Sequence, residues 1–177
     1  MLNTTRDTLL RQHETAWKLM TFHVRDLTTA ECMWRPTPVG PHVRLLDRAW
    51  VADWPEEEDY QSGAPTIAWL TWHVGYWWSM VLDHSFDAGT LQRERVRWPG
   101  NADGVRAWFH ALHERWGGEI RRLDAGMLMS TELTRWPFSG RAFGDVIAWA
   151  NLELIKNAAE IGYARFLYAA DVQQSRH

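Results

Sequence analysis

The feature that most constrains this chain is the stretch from Thr66 to Phe86. It follows Pro65, carries no Asp, Glu, Lys or Arg before Asp83, and contains four of the thirteen tryptophans. In a helix, residues three and four positions apart lie on the same side, and large apolar residues recur here at that spacing. The pattern predicts a helix with a buried aromatic face. The members of that face are Trp69, His73, Tyr76, Trp77 and Met80.

Three further segments show the 3.6-residue apolar period of amphipathic helices. In the last of them apolar residues cover more than half of the circumference, which indicates packing neighbours on two sides. With 177 residues the chain is long enough for one domain with a sizeable core. We therefore predict an all-α fold, a single four-helix bundle domain over residues 1–177 with long connections. The predicted helices span about residues 4–26, 66–86, 102–124 and 143–170.

The long connection at residues 35–65 contains five prolines and two glycines. It is predicted to be loop, and no part of the chain shows a convincing strand pattern. Loops of this length inside a compact domain are often functional. Upstream of it, Thr28 and Glu31 have the spacing of a capping box, which predicts a short helical turn. The acidic run at residues 56–59 is expected to be solvated, because adjacent carboxylates repel one another.

Charge and composition argue against several classes of function. The net charge of −3 provides no basic patch, so no nucleic-acid partner is predicted. The amino-terminal residues lack a basic region followed by an apolar run, and the central stretch has no basic flanks, so a bundle helix is favoured over a membrane span. A single cysteine, Cys32, excludes an intramolecular disulfide and fits a reducing compartment. We therefore predict a cytoplasmic protein with no membrane partner.

Eight histidines are the main candidates for catalytic chemistry. His110 and His113 are three residues apart, but they alternate with the apolar positions of their helix and are expected to face water. His13 falls on the predicted buried side of the first helix and has no partner nearby in sequence. His73, inside the aromatic stretch, is either a core residue with one satisfied hydrogen bond or the first member of a site.

The last predicted helix carries a polar group formed by Glu153, Lys156, Asn157 and Glu160. Their spacings of three and four allow a ladder of local ion pairs and hydrogen bonds on the helix surface. Alternatively, some of them face the bundle interior, where an unpaired charge is costly and polar groups need each other or a ligand. The spacing alone leaves both interpretations open.

Three segments resemble motifs of a known family. Residues Pro65–Gly75 are similar to the second-helix motif of the DinB/YfiT-like superfamily, Trp34–Pro38 resembles its first loop, and Trp149–Gly162 resembles its fourth-helix motif. The motifs occur in the family's order and span nearly the whole chain. The resemblance implies a four-helix bundle of metalloenzyme type, commonly dimeric. It also implies relatives that act as transferases or isomerases dependent on mycothiol or bacillithiol.

The resemblance also implies where a metal would bind, and this sequence departs from the pattern there. The family takes one histidine from the second helix and two, spaced by four, from the fourth. His73 matches the first, but Leu152 and Lys156 occupy the other two positions, and Asn157 follows where a further histidine is common. Leucine cannot ligate and a protonated lysine repels a divalent cation. A degenerate site without metal is therefore predicted.

Three hypotheses about function follow. The first is a metal-free pocket between helices that binds a small anionic or thiol-type molecule against an aromatic wall. The alternatives are a non-catalytic dimeric interaction module, and a thiol-dependent transferase or isomerase. No cofactor is predicted, a thiol cofactor has no support from the residues themselves, and a homodimer is expected from surplus apolar surface on the central and last helices. The candidate pocket residues are His73, Lys156, Glu153, Asn157, Glu160, Trp69 and Trp77.

Overall fold

The computed structural model describes residues 4–56 and 60–175, so most of the predicted acidic run, at residues 57–59, lies outside the described residues. Helices account for most of the described chain. In chain order they are α1 (Thr4–Val24), α2 (Thr29–Met33), α3 (Ile67–Phe86), α4 (Ala102–Arg122), α5 (Ala125–Met129) and α6 (Phe143–Gln174). Short 3-10 turns occupy Tyr60–Ser62 and Arg93–Arg95.

The four long helices form a bundle, which confirms the predicted all-α fold class. Helices α1 and α3 each pack against both α4 and α6. Large aromatic side chains fill the space between them, including Trp78, Phe109, Trp116 and Phe143, each less than 2% exposed. Within the described residues, no helix combines the length and hydropathy needed to cross a membrane.

Helix α3 is the buried centre of this bundle. The side chain of Thr66 caps its first turn by accepting a hydrogen bond from the backbone N–H of Trp69 at 3.1 Å. Thr71 is buried but satisfied, since its hydroxyl donates to the carbonyl of Ile67 at 2.9 Å. Most of the helix is buried on all sides. The surplus apolar surface expected on this helix is therefore covered by the chain itself.

The prediction that residues 35–65 contain no strand was wrong. Strands β1 (Val43–Leu46) and β2 (Ala49–Ala52) form an antiparallel hairpin in which Val43 pairs with Ala52 and Leu46 with Ala49. The turn residues Asp47 and Arg48 have φ values of +47° and +67°. Two-residue hairpin turns with positive φ favour Asn or Asp followed by glycine; Asp47 fits, but Arg48 stands where glycine is usual, so the sequence signal is incomplete.

The predicted capping box before α2 is confirmed. Thr28 accepts from the backbone N–H of Glu31 at 3.2 Å, and the Glu31 carboxylate accepts from the backbone N–H of Thr28 at 2.8 Å. The same carboxylate forms an ion pair with Arg165 at 2.9 Å. This short turn therefore ties the end of α1 to the middle of α6.

One glycine sets the distance between α3 and α4. A Cβ atom on Gly75 would lie 1.9 Å from the indole ring of Trp108, so the ring packs directly on the α3 backbone. Gly162 of α6 has a similar role, because its Cβ position would lie 2.4 Å from the ring of His23. Helix α1 therefore approaches α6 closely at Gly162.

Candidate functional site on the seam of α3 and α6

His73 lies on the side of α3 that meets α6, with Trp69 one turn before it. The two rings stack with a centroid distance of 5.1 Å and an interplanar angle of 10°. The His73 ring is partly buried, and its Nδ1 atom is shielded from solvent without a hydrogen-bond partner among the described residues. A buried polar atom without a partner is uncommon and costs free energy unless something else binds it.

The unexpected hairpin supports this arrangement from behind. The indole N–H of Trp69 donates to the backbone carbonyl of Asp53, just after β2, at 2.8 Å. The Asp53 carboxylate in turn is held by His42 at 2.7 Å and Arg44 at 2.6 Å. The connection that sequence analysis treated as loop therefore fixes the aromatic ring on which His73 stacks.

Lys156 of α6 is close enough to His73 for its positive charge to act on the imidazole. Burial first, and the Lys156 charge second, lower the pKa of His73 from 6.5 to about 4. His73 is therefore neutral at pH 7. The Lys156 ammonium forms an ion pair with Glu153 at 2.9 Å, and the lysine side chain is 50% exposed.

A second polar chain crosses the same seam deeper in the bundle. The indole N–H of Trp77 donates to the side-chain oxygen of Asn157 at 3.1 Å, and the Asn157 amide donates to Glu160 at 2.7 Å. Asn157 and Trp77 are both buried. Both ends of the Asn157 amide are satisfied, so this residue connects α3 and α6 structurally.

The structure brings the predicted pocket residues to one seam in two groups. His73, Trp69, Lys156 and Glu153 form the first group and the Trp77–Asn157–Glu160 chain forms the second. The two interpretations of the α6 polar group both hold in part: Glu153 and Lys156 pair on the helix surface, whereas Asn157 is buried. Neither of two surface cavities, of about 370 and 490 Å³, is lined by these residues. Their use as a binding pocket stays a prediction.

The residues do not fit the metal that the family resemblance implies. Leu152 is apolar and 68% exposed, and Lys156 is a cation paired with Glu153, so only His73 could ligate. In residues 4–56 and 60–175, no group of three His, Cys, Asp or Glu side chains is placed to hold a metal ion. A catalytic zinc site normally uses three protein ligands, and one remains here.

Comparison with known families agrees with the motifs. A family model described as the DinB superfamily matches residues 12–161, which is most of the chain. The chain belongs to the DinB superfamily. No curated protein and no solved structure matches it. Membership confirms the predicted family and is consistent with the helical bundle, but a shared fold does not identify a reaction.

Sequence analysis missed a histidine pair that this DinB-superfamily bundle buries between α1 and α4. His13 Nε2 and His113 Nδ1 lie 2.9 Å apart, with His13 1% and His113 8% exposed. The expectation that His113 faces water was therefore wrong, whereas His110 is exposed. The signal was available, since position 113 lies four residues after Phe109 and three before Trp116, on the edge of the buried face.

The surroundings of the pair keep both imidazoles neutral. The pKa of His13 is lowered from 6.5 to about 3, mainly by burial and then by the neighbouring His113, with Asn151 acting in the opposite direction. Burial also lowers the pKa of His113. Because a hydrogen bond between two neutral imidazoles needs one donor and one acceptor, each ring satisfies the other. The pair has the properties of a core element.

Proposed function

We propose that this DinB-superfamily protein binds a small anionic molecule, without a metal ion, where His73 and Lys156 meet on the seam of α3 and α6. One observation carries the proposal: a neutral imidazole with an unused ring nitrogen lies beside an ammonium group. Titratable groups with strongly displaced pKa values concentrate at functional sites. An anion at this place would give the imidazole a hydrogen-bond acceptor and would take the place of Glu153 beside the ammonium.

The aromatic surroundings favour an organic anion over an inorganic one. Trp69 presents a flat apolar surface next to His73, and it is held rigidly by its hydrogen bond to Asp53. Glu153 already neutralises Lys156, but both side chains of this ion pair keep contact with solvent. Exposed ion pairs are worth only about 0–1 kcal/mol, so a ligand carboxylate or thiolate could displace Glu153 at little cost.

A thiolate ligand would connect the site to the thiol-dependent transferases and isomerases of the family resemblance. In that alternative the Lys156 ammonium would stabilise the thiolate, and the thiol proton would be released to solvent, because an imidazole with a pKa of about 4 is too weak a base to hold it. A carboxylate needs no proton transfer. The two ligand classes therefore differ in the pH dependence of binding, since only thiol binding would release or transfer a proton near neutrality.

A thermal-shift screen of small carboxylates and low-molecular-weight thiols tests the proposal. A ligand present at 100 times its Kd stabilises the folded state by about 2.7 kcal/mol, which corresponds to a rise in Tm of about 5–10 °C for a chain of this size. At least one anion should produce such a rise with the wild-type protein, and Lys156→Met should abolish it.

The chain offers a matched control because it contains only two lysines, Lys18 and Lys156. Lys18→Met removes the same charge from a different helix and should leave the response to a seam ligand intact. Absence of a stabilising anion for the wild-type protein would reject the proposal. An equal response in the Lys156→Met protein would also reject it.

A second candidate function, a dimeric interaction module, is favoured by the outer face of the bundle. Large apolar side chains on α6 point to solvent, among them Leu152 at 68%, Tyr163 at 67% and Phe166 at 76% exposure. With Ile155 they form two pairs of residues three apart, and Tyr163 lies eight positions after Ile155, so all four lie along one side of α6.

We propose that a second copy of this chain covers that face, with the two α6 helices packed across a two-fold axis. The three exposed side chains of Leu152, Tyr163 and Phe166 amount to roughly 400 Å² of surface, from about 150–250 Å² for a fully exposed aromatic residue. A standard interface buries about 800 Å² on each partner, so this patch would supply about half of it. Isologous packing of one face on itself is the commonest way to close a dimer.

Light scattering during size-exclusion chromatography tests the dimer. The wild-type protein should have twice the mass of the chain at micromolar concentration, and Phe166→Arg should convert it to a monomer. Met129→Arg is the matched control, because Met129 is 75% exposed but lies on α5. A monomeric wild-type protein, or the same dissociation in both variants, would contradict this interface.

A further inference from the structure

The larger of the two cavities lies between α1 and α4, away from the seam that carries His73. Its volume is about 490 Å³, within the roughly 300–1,000 Å³ typical of small-molecule sites. Helix α1 contributes Trp17, Thr21 and Val24 to the lining, and α4 contributes Arg106 and His110. The cavity therefore sits where two helices of the bundle diverge at the surface.

The aromatic part of this cavity is fixed in place. The Trp17 ring stacks on the buried His113 with a centroid distance of 4.4 Å and an angle of 8°, and His110 meets it edge-on at 5.1 Å. Phe22 also lines the cavity and is 63% exposed. A flat ligand would thus meet a small part of a preorganised indole, because Trp17 is only 8% exposed, together with the exposed phenyl ring of Phe22.

The charged side chains that line the cavity are basic. They are Lys18, Arg25 and Arg106, and no acidic residue of the described part of the chain joins them. Arg106 is held by the carboxyl end of α1, since its guanidinium donates to the carbonyls of Val24 at 3.2 Å and Leu27 at 2.8 Å. It is thereby oriented at the cavity without needing a ligand.

Two aspartates outside the lining partly neutralise these cations. Asp103 pairs with Arg106, and Asp26 pairs with Arg25 at 3.2 Å between side chains that are about 70% exposed. The side-chain ammonium of Lys18 makes no hydrogen bond or ion pair within the described part of the chain. The exposed Lys18, which lines the cavity together with the fixed Trp17 ring, is therefore the cation that would pair with a ligand anion.

We propose that this α1–α4 cavity is a second ligand site, which takes a planar aromatic molecule carrying a carboxylate. The aromatic body would pack on Trp17 and Phe22, and the carboxylate would meet Lys18 with Arg106 behind it. The site uses different helices from the α3–α6 seam and does not depend on the function proposed there.

Isothermal titration calorimetry with 2-naphthoate tests the site directly, and 2-naphthamide serves as its neutral isostere. Binding of 2-naphthoate should be measurable, with 2-naphthamide about tenfold weaker, because a charge-assisted contact is worth about 1.4 kcal/mol or more. Equal affinity of the two probes, or no binding of 2-naphthoate, would overturn the proposal.

Two variants locate the bound probe. Lys18→Met removes the counter-charge at an exposed position and should weaken 2-naphthoate binding about fivefold to tenfold. Thr21→Phe fills the cavity and should abolish binding; circular dichroism and the unfolding midpoint show whether that variant still folds. Lys156→Met should leave the affinity unchanged.

The same variants separate this site from the seam. Unchanged affinity in Lys18→Met would overturn the α1–α4 site, as would loss of binding in Lys156→Met. A thermal-shift response that is lost only in Lys156→Met supports the α3–α6 seam site and says nothing about the α1–α4 cavity. The two proposals can therefore be rejected independently.

Discussion

Acidification should destabilise this protein through His13, which is buried, and His73, which is partly buried. Both have pKa values lowered by burial, to about 3 and about 4 respectively, against an ordinary value of 6.5. Below pH 6.5 the unfolded chain binds protons at these positions while the folded protein does not. The free energy of unfolding therefore falls as the pH falls, and it is fully regained above pH 6.5.

The size of the effect follows from those pKa values. One pKa unit corresponds to about 1.4 kcal/mol. The shift at His13 can therefore lower the free energy of unfolding by at most about 5 kcal/mol, and this limit is reached only near pH 3. Between pH 7.5 and pH 5 each of the two histidines removes about 2 kcal/mol. The combined loss of about 4 kcal/mol is a large part of the roughly 5–15 kcal/mol by which a domain is stable.

Urea unfolding at pH 7.5 and pH 5 measures this loss of stability, and a glutamine variant shows how much of it comes from His13. His13→Gln removes the titrating ring but retains an amide N–H that can donate to His113. The free energy lost between the two pH values should shrink by about 2 kcal/mol in this variant. His110→Gln is the matched control, because His110 lies on the surface near the same pair.

Two results with these variants would contradict the predicted role of His13. If His13→Gln lost as much stability between pH 7.5 and pH 5 as the wild-type protein, His13 would not be the group that takes up the proton. If His110→Gln reduced the loss by the same amount, the effect would not depend on burial. In either case the neutral, buried state of the His13–His113 pair would be wrong.

Three further predictions concern the bundle and the seam. Gly75→Ala should destabilise the protein by about 1–3 kcal/mol in urea unfolding, because its Cβ would overlap the Trp108 ring; no loss would show that the ring moves freely. Asn157→Ala should cost about 1–3 kcal/mol, since it leaves a buried indole N–H unpaired, and a neutral result would contradict that hydrogen bond. Lys156→Met should change stability by less than about 0.5 kcal/mol and raise the pKa of His73 in an NMR titration; an unchanged pKa would show that the lysine charge does not reach the ring.

Much of the fold could be predicted from local sequence patterns. A capping residue such as Thr66 and a 3.6-residue apolar period act between neighbours in the chain, so they can be recognised without knowing the fold. The capping box of Thr28 and Glu31 is of the same kind. The family motifs combined these local signals in a fixed order, and the match over residues 12–161 agrees with them.

The candidate site could be predicted only in part. The motif order assigned His73 and Lys156 to the same place in the bundle, and the structure has them close enough for the lysine charge to act on the ring. Sequence analysis did not reveal that Trp69 is held by the carbonyl of Asp53, because a backbone acceptor sixteen residues away has no signature in the side chains. It also left open which members of the α6 polar group are buried.

The sequence by itself therefore determined where the four long helices lie and which family the chain resembles, whereas the short helix α5 was not predicted. Only the tertiary structure decided what those helices bury and expose. His13 and His113 are one hundred residues apart, and they meet because α1 packs on α4. The apolar surplus expected on both α3 and α6 remains on α6 alone, because other parts of the chain cover α3. Helix formation depends on near neighbours, whereas burial depends on distant segments that periodicity cannot identify.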